Sequence, residues 1–358
     1  MKESEAKDIE QGTIAKLDDT RKTGKTVRIV TGSYERNLLC VALTITAKGE
    51  VFTPIFHFAP HTASVRCLAT SKKYLVSGSN DEQIKLYDLQ KRKEVGTLMH
   101  HSGQILSMEF YKSKWLLSGA SDGQICLWRT KDWELMATMK GHKAAVNSTS
   151  VHPTGKIALS VGDDKQLILW NMMTARKASS SKLPAKGLKV QWVPASNNYV
   201  IGYDRSISFY KTSKEEFSIS IDSPLQQLKS WNDYMVVGYG NGKIDFFAWK
   251  GLSGDSKPEF TLQGHATRVK DFSFLDSLMA SVSSDGKLVV WDLDKRDQIA
   301  VYTSGDRINC VEIYPDDIEV MPKRKMEYPE SDMETDGEER PAKAPKQKKK
   351  KKARVIIE

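Results

Sequence analysis

The sequence lacks long apolar runs and the short motifs that mark common catalytic sites. No stretch approaches 18 consecutive apolar residues, so no transmembrane helix is predicted. The first residues, MKESEAKDIEQG, are charged and have no apolar core, so we expect no secretory signal. The chain contains no GxSxG, P-loop or HExxH motif. We therefore expect a protein without enzymatic activity, catalytic residues, cofactor, bound metal, membrane contact or small-molecule substrate.

Cysteine is also scarce, with four in 358 residues. Cys40, Cys67, Cys126 and Cys310 each lie in an apolar, strand-like run, and no two form a CxxC pair. Scattered cysteines of this kind, in a chain without a predicted signal, are expected to be reduced thiols of the core. This favours the cytosol or the nucleus. The net charge of +9 is too mild to indicate nucleic-acid binding by itself.

What the sequence does contain is a repeat marked by histidine. The strings HTASVRCL, HSGQILSM, HKAAVNST and HATRVKDF begin at His61, His101, His142 and His265. The first three starts are 40 and 41 residues apart, and the last follows after 123 residues, three periods of 41. This period is the blade length of a WD repeat.

Each repeat also has a fixed internal spacing. A serine is followed by an aspartate after four residues and by an aromatic residue after six more, as in Ser118, Asp122 and Trp128. We expect the aspartate to hold the histidine, the histidine to reach the serine, and the serine to bond the aromatic residue, so that every buried polar group has a partner. The four predicted structural tetrads are His61, Ser77, Asp81 and Tyr87; His101, Ser118, Asp122 and Trp128; His142, Ser160, Asp164 and Trp170; and His265, Ser281, Asp285 and Trp291.

The remaining length completes a ring of seven blades. Two weaker blades fit between His142 and His265, with Val200 and Val237 predicted at the serine position. The N-terminal part supplies three strands, and RINCVEIYP near the C-terminus supplies the missing fourth. The prediction is an all-β, seven-bladed WD-repeat β-propeller over residues 26–316, whose first blade is closed by the C-terminal strand. Disordered segments are predicted at 1–25 and 320–358.

The C-terminal segment is first acidic and then strongly basic. Its basic run is interpreted as a nuclear localisation signal or an RNA-binding tail, and the alternative is a solvated charge run that aids solubility. The residues of this run are Lys346, Lys348, Lys349, Lys350, Lys351, Lys352 and Arg354. Ser331 and Thr335 each precede an acidic residue by three positions and are candidate phosphorylation sites.

Binding surfaces are expected where loops crowd around the central channel. The repeating histidines are not expected to bind a metal, because each lies in its own blade with its own aspartate. The residues just after the histidines are candidates for partner binding, against the alternative of ordinary solvated surface. They are Ser64, Arg66, Gln104, Arg268 and Lys270, and Lys186 and Lys189 are further candidates in the fifth blade.

Several strings go beyond a generic WD repeat. HTASVRCLA, LMHHSGQI, HPTGKIALSVGDDK and HATRVKDFSF resemble segments of the p21-activated-kinase-interacting WD-repeat proteins. The resemblance covers about residues 28–315 and extends to a fission-yeast kinase-binding inhibitor and a budding-yeast assembly factor of the large ribosomal subunit.

The resemblance implies two functions. One is a scaffold in nucleolar biogenesis of the large (60S) ribosomal subunit, with pre-60S proteins and rRNA as partners. The other is negative regulation of a p21-activated kinase by binding its regulatory region. The expected location is the nucleus and nucleolus, with the cytoplasm as a further site. The alternatives are an RNA-binding module that acts through the lysine-rich tail and a substrate receptor of a ubiquitin ligase.

Overall fold

The structure is a computed structural model that describes residues 25–316. The predicted disordered segments (apart from residue 25), the lysine-rich run and the two candidate phosphorylation sites lie outside these residues. Within residues 25–316 there is no helix long and apolar enough to cross a membrane. The regular structure of this part of the chain consists of 28 β-strands.

The strands form seven four-stranded antiparallel sheets, which are the blades. Blade 1 contains β1 (Lys25–Ser33), β2 (Leu38–Thr46), β3 (Gly49–Phe58) and β28 (Ile308–Pro315). Blade 2 contains β4 (Val65–Thr70), β5 (Tyr74–Ser79), β6 (Ile84–Asp88) and β7 (Lys93–Leu98); blade 3 contains β8 (Ile105–Tyr111), β9 (Trp115–Ala120), β10 (Gln124–Arg129) and β11 (Glu134–Lys140). Blade 4 contains β12 (Val146–Val151), β13 (Ile157–Gly162), β14 (Gln166–Asn171) and β15 (Arg176–Lys182).

The other three blades follow in the same order. Blade 5 contains β16 (Lys189–Trp192), β17 (Tyr199–Gly202), β18 (Ser206–Lys211) and β19 (Lys214–Ser220); blade 6 contains β20 (Leu225–Trp231), β21 (Tyr234–Tyr239), β22 (Lys243–Ala248) and β23 (Phe260–Gln263). Blade 7 contains β24 (Val269–Leu275), β25 (Leu278–Ser283), β26 (Lys287–Asp292) and β27 (Asp297–Thr303).

Burial explains why the strand sequences differ with their place in a blade. The second strand of each blade is covered on both faces by neighbouring sheets, so it is a short continuous run of apolar and small residues such as LMASVS in β25, which is buried throughout. The outermost strand has little cover, and RKASSSK in β15 is exposed at every residue. The apolar run therefore predicts the inner strands far better than the outer ones.

The core consists of seven apolar clusters, one between each pair of neighbouring blades. Between blades 7 and 1, for example, Val27 and Ile29 pack with Ala280 and Val282. This last cluster closes the ring. The predicted seven-bladed propeller is confirmed, because each blade buries both of its faces against a neighbour.

The predicted closing strand is confirmed as well. β28 pairs antiparallel with β1, from Val27 opposite Pro315 to Ser33 opposite Ile308. It is thus the innermost strand of blade 1 and joins the two ends of the described chain. Closure leaves no blade with an unpacked face, so the ring has no open end at which another sheet could add.

Candidate functional site

Three of the predicted tetrads form unbroken hydrogen-bond chains. In blade 3 His101 donates from Nδ1 to Asp122 (3.0 Å), and its Nε2 accepts from the Ser118 hydroxyl (2.9 Å). The Trp128 indole N–H donates to the same hydroxyl at 2.9 Å. Burial lowers the pKa of His101, which keeps the imidazole neutral so that Nε2 can accept. Every polar group in this chain has a partner.

The chains of blades 2 and 4 have the same order. His142 lies 3.0 Å from Asp164 and 2.7 Å from Ser160, which accepts from the Trp170 indole at 2.8 Å. In blade 2, His61 lies 2.9 Å from Asp81 and 2.7 Å from Ser77. There the Tyr87 hydroxyl takes the place of the indole, at the longer distance of 3.4 Å from Ser77. These histidines are held inside single blades and do not converge on a common site.

The tetrad of blade 7 departs from the prediction. His265 bonds Ser281 at 2.8 Å, and Trp291 donates to Ser281 at 2.8 Å, but Nδ1 of His265 is 3.9 Å from Asp285. This Nδ1 is buried and has no hydrogen-bond partner among the described residues. Asp285 keeps the two backbone bonds that the other tetrad aspartates make, from the N–H groups of Ala266 (3.2 Å) and Lys287 (3.0 Å). The predicted fourth chain is therefore broken at its aspartate, and burial lowers the pKa of His265 to about 4.

One serine position of the weaker blades was also misplaced. In blade 6 Val237 occupies the serine position, as predicted. In blade 5 the register pairs Tyr199 with Tyr210, which places Ile201 at the serine position and turns Val200 towards blade 6. The turn of this blade is one residue shorter than in blade 2, because Gly202 pairs with Ile207. Counting back from the aromatic residue therefore gave Val200 in place of Ile201.

The innermost strands of the seven blades surround a central channel of about 490 Å³. Each of these strands has an edge without a neighbouring strand, and side chains from the next blade bond to it. Asn309 donates to the backbone oxygen of Val65 (2.9 Å), and Glu109 accepts the N–H of Val151 (2.9 Å). These bonds satisfy backbone groups that no sheet ladder reaches. They also tie neighbouring blades together at the centre of the ring.

Charged groups lie among these bonds. Lys229 is 2.9 Å from Asp271, whose carboxylate also accepts from Gln227 (2.6 Å) and from the N–H of Val311 (3.2 Å). The pKa of Lys229 is raised, because attraction to Asp271 and other nearby acids outweighs the effect of burial. Lys229 therefore stays protonated within the channel wall.

Two carboxylates of the channel have unusual pKa values. Burial raises the pKa of Glu312 to about 6, although Thr70 and Ser273 each donate to it at 3.1 Å and Lys229 is near. Burial raises the pKa of Glu109 to about 7, since its single backbone bond does little to offset the loss of water. Sequence reasoning missed these groups. The signal was a charged residue within an inner strand, as in SMEFY and NCVEIYP.

The aspartate turns and the histidine loops lie at one end of the channel, because His61 and Asp81 are bonded to each other there. We call this end the histidine face. Each innermost strand begins at this face and runs away from it. In six blades a residue near the start of the innermost strand is bulged out of register. The bulged residues are Arg66, Leu106, Asn147, Gln226, Lys270 and Asn309.

Most of the predicted partner-binding residues lie at this face and are accessible. Arg66, Gln104, Lys186 and Arg268 are exposed, and Lys189 and Lys270 are half-buried at the start of their strands. Ser64 differs, because it is only 7% exposed and accepts from Asn80 at 2.7 Å. Ser64 therefore supports the loop, and its hydroxyl is not presented to a partner.

Metal-binding clusters and disulfides are both absent from the described residues. Within residues 25–316 no group of three or more histidine, cysteine or acidic side chains could hold a metal ion. No disulfide joins the four cysteines, and burial raises the pKa of Cys67 and Cys126 to about 12, so these thiols are poor nucleophiles.

Comparison with known proteins identifies the family of this chain. The WD domain, G-beta repeat family matches residues 52–88, 92–129, 133–171 and 256–292. Protein MAK11 of Saccharomyces cerevisiae is 37% identical, over 92% of this chain and 97% of its own length. The p21-activated protein kinase-interacting protein 1 of Homo sapiens is 33% identical, over 82% of this chain and 78% of its own.

The chain belongs to this family of WD-repeat proteins. Shk1 kinase-binding protein 15 of Schizosaccharomyces pombe, 28% identical over 80% of this chain and 83% of its own length, is a further member. The resemblance inferred from four short strings is thus confirmed along most of the chain. Propellers of this type are typically interaction scaffolds without catalytic activity.

Proposed function

We propose that this protein is a non-catalytic scaffold in nucleolar biogenesis of the large (60S) ribosomal subunit, and that it also inhibits a p21-activated protein kinase by binding its regulatory region. The observation that carries the proposal is kinship over nearly the whole length of two chains, at 37% identity with MAK11. Two relatives are named for binding a kinase, which supports the second role. The ribosomal role rests on the resemblance to the assembly factors of this family.

The bonds made by the polar side chains of the blades support a scaffold. His61, His101 and His142 are held in bonds within their blades, and the channel acids are engaged by neighbouring strands. What remains accessible on the histidine face is a set of side chains suited to contact a partner. A closed ring presents such a surface rigidly, which reduces the entropy lost on binding.

The lysine-rich run supports a nuclear address. Five consecutive lysines, from Lys348 to Lys352, form a dense cationic segment that suits an import signal and contact with rRNA. We therefore propose a propeller over 26–316 flanked by segments 1–25 and 320–358, acting in the nucleus and nucleolus and, for kinase binding, also in the cytoplasm.

Affinity purification tests the ribosomal role. The tagged chain is expected to bring down pre-60S proteins and assembly factors. A tagged chain that ends at Ser304 lacks both the closing strand and the lysine-rich run and should lose them, and a chain that ends at Asp316, which keeps the closing strand, separates the two causes. Recovery of a kinase with no pre-60S component would contradict this role.

The kinase role needs a separate assay with purified components. The intact protein is expected to bind the regulatory region of a p21-activated kinase and to lower its activity on a peptide substrate. If the protein does not bind this region, or if activity is unchanged at saturating protein, inhibition by direct binding is wrong.

A second candidate is an RNA-binding module that acts through the tail. The density of the lysine run favours it, because affinity for phosphates grows with the number of counterions released. This version predicts a steep fall of RNA affinity with salt and its loss when Pro341–Glu358 is deleted. RNA affinity that survives the deletion would refute it.

A further inference from the structure

The mouth of the channel on the histidine face carries positive charge without matching acids. Arg66, Arg268 and Lys270 come from blades 2 and 7, which flank blade 1, and Lys186 comes from blade 5. None of these four side chains forms an ion pair or hydrogen bond within residues 25–316. We call this set the basic mouth.

The repeat shows how uneven this charge is. The seven equivalent positions at the level of the bulges are Arg66, Leu106, Asn147, Leu188, Gln226, Lys270 and Asn309. Two residues earlier in each blade are Ser64, Gln104, Ala145, Lys186, Pro224, Arg268 and Arg307. The two levels together hold five cations and no acid. Random placement in a chain with 54 basic and 45 acidic residues would mix the signs.

The cations are close enough to affect one another. Burial lowers the pKa of Lys270, and the charges of Arg268 and Arg66 lower it further. Burial also lowers the pKa of Lys189, one position deeper in blade 5, where attraction to Asp271 opposes the shift and the charges of Lys229 and Arg66 add to it. Like charges held together work against folding, so their presence calls for a compensating role.

Arg307, the fifth cation of the two levels, differs from the others because it has an acidic partner. Its guanidinium lies 3.1 Å from Glu35 and stacks 4.2 Å over the ring of Tyr34. An arginine at this level can thus be neutralised within the fold. The residues of the basic mouth are not, so their charge remains available to an outside group.

We propose that the basic mouth binds an acidic segment of a partner protein, with carboxylates entering between Arg66 and Lys270. This deepens the scaffold role and rests on it, because it names the chemistry of a partner for the histidine face. The carboxylates would replace water around the half-buried Lys270 and relieve the repulsion among the cations. The Lys229–Asp271 pair lies deeper in the wall and is already satisfied, so the contact is confined to the mouth.

The scarcity of exposed aromatic rings favours a peptide over a nucleic acid. Single-stranded nucleic acid is usually held by stacking on exposed aromatic rings. Of the two exposed aromatic side chains in residues 25–316, Tyr34 is covered by Arg307, and Phe58 packs on Tyr87.

The occupant is expected to come from another chain, because none of the four cations of the basic mouth pairs with an acid of residues 25–316. β28 ends at Pro315, so the described residues end at the opposite end of the channel from the histidine face.

The test uses the full-length protein and a fluorescently labelled short peptide of alternating aspartate and glutamate. Binding is followed by anisotropy, with an asparagine–glutamine peptide of the same length and a single-stranded oligouridylate as comparisons. Arg66→Glu with Lys270→Glu should weaken acidic-peptide binding by about tenfold or more, since rim charges steer and hold oppositely charged partners. The matched control, Lys72→Glu with Lys114→Glu, removes two exposed lysines from the far-side turns and should change binding little.

Each outcome decides the proposal. Equal losses in the two variants, no loss in either, or equal affinity for the uncharged peptide would overturn it. Oligouridylate binding that is lost in the same variant and exceeds that of the peptide would reassign the mouth to phosphates. The double variant Arg66→Gln, Lys270→Gln controls for misfolding of the charge-reversed protein. Its melting temperature should not fall, because the repulsion between the two cations is removed. Loss of the acidic peptide with pre-60S recovery intact would reject only this inference, whereas peptide binding without pre-60S proteins would reject only the ribosomal role.

Discussion

Removing the closing strand should unfold the ring. A chain that ends at Ser304 lacks β28, whose Ile308, Val311, Ile313 and Tyr314 side chains are at most 4% exposed. Burying a large apolar side chain contributes about 1.5–3 kcal/mol, so these four contribute about 6–12 kcal/mol. The whole stability of a typical domain is about 5–15 kcal/mol. The loss is therefore comparable with the total, before the broken ladder to β1 is counted.

The assay is thermal and urea unfolding followed by tryptophan fluorescence and circular dichroism. A chain that ends at Asp316 keeps β28 and is the matched control, which should melt like the full-length protein. The chain that ends at Ser304 should show no cooperative transition, or one displaced by tens of degrees. A peptide spanning 305–316 should restore part of the transition by taking the vacant place beside β1. If the chain ending at Ser304 melts like the intact protein, the account of closure is wrong.

Three further predictions concern single features. Ser118→Ala leaves the imidazole of His101 and the indole of Trp128 without partners, at a cost of about 1–3 kcal/mol each. The free energy of unfolding measured in urea should therefore fall by about 2–6 kcal/mol. A fall no larger than that caused by replacing an exposed serine would contradict this. Glu109→Gln should stabilise the protein above pH 7 and hardly at all below pH 4.5. Since burial raises the pKa of Glu109 to about 7, the stability of the wild-type protein falls as the pH rises from about 4.5 to 7. Melting temperatures that differ by a constant amount across this pH range would refute the prediction. Deleting 346–354 should move a fluorescent fusion out of the nucleus, and an unchanged location would remove the import role of this run.

The sequence predicts this fold well because several levels of pattern agree. The 41-residue period, the serine–aspartate–aromatic spacing and the short apolar runs all point to the same blades. The failures occur where one level was used alone. In blade 5 only the spacing to Tyr210 was available, and a turn shorter by one residue shifted the serine position from Val200 to Ile201.

The broken bond in blade 7 could not be predicted in the same way. His265 and Asp285 have the residue types and spacing of the other tetrads, and Asp285 accepts the same pair of backbone N–H groups as Asp122 does. The two side chains are nevertheless 3.9 Å apart, against 3.0 Å in blade 3, and the spacing of residues does not encode so small a difference. The result is a buried imidazole nitrogen without a partner, so blade 7 should tolerate Asp285→Asn better than blade 3 tolerates Asp122→Asn.

The charges of the channel follow from the fold in a way that the strand patterns hide. An innermost strand has one edge without a partner strand, and polar side chains there compensate by bonding across blades, as Glu109 does to Val151. That need explains the acids and the lysine within the wall. It does not explain the mouth, where bulges turn Arg66 and Lys270 out of register and no bond awaits them. Positive charge in the wall thus belongs to the structure, whereas positive charge at the mouth is in excess of what the ring requires, and that excess is what a partner can use.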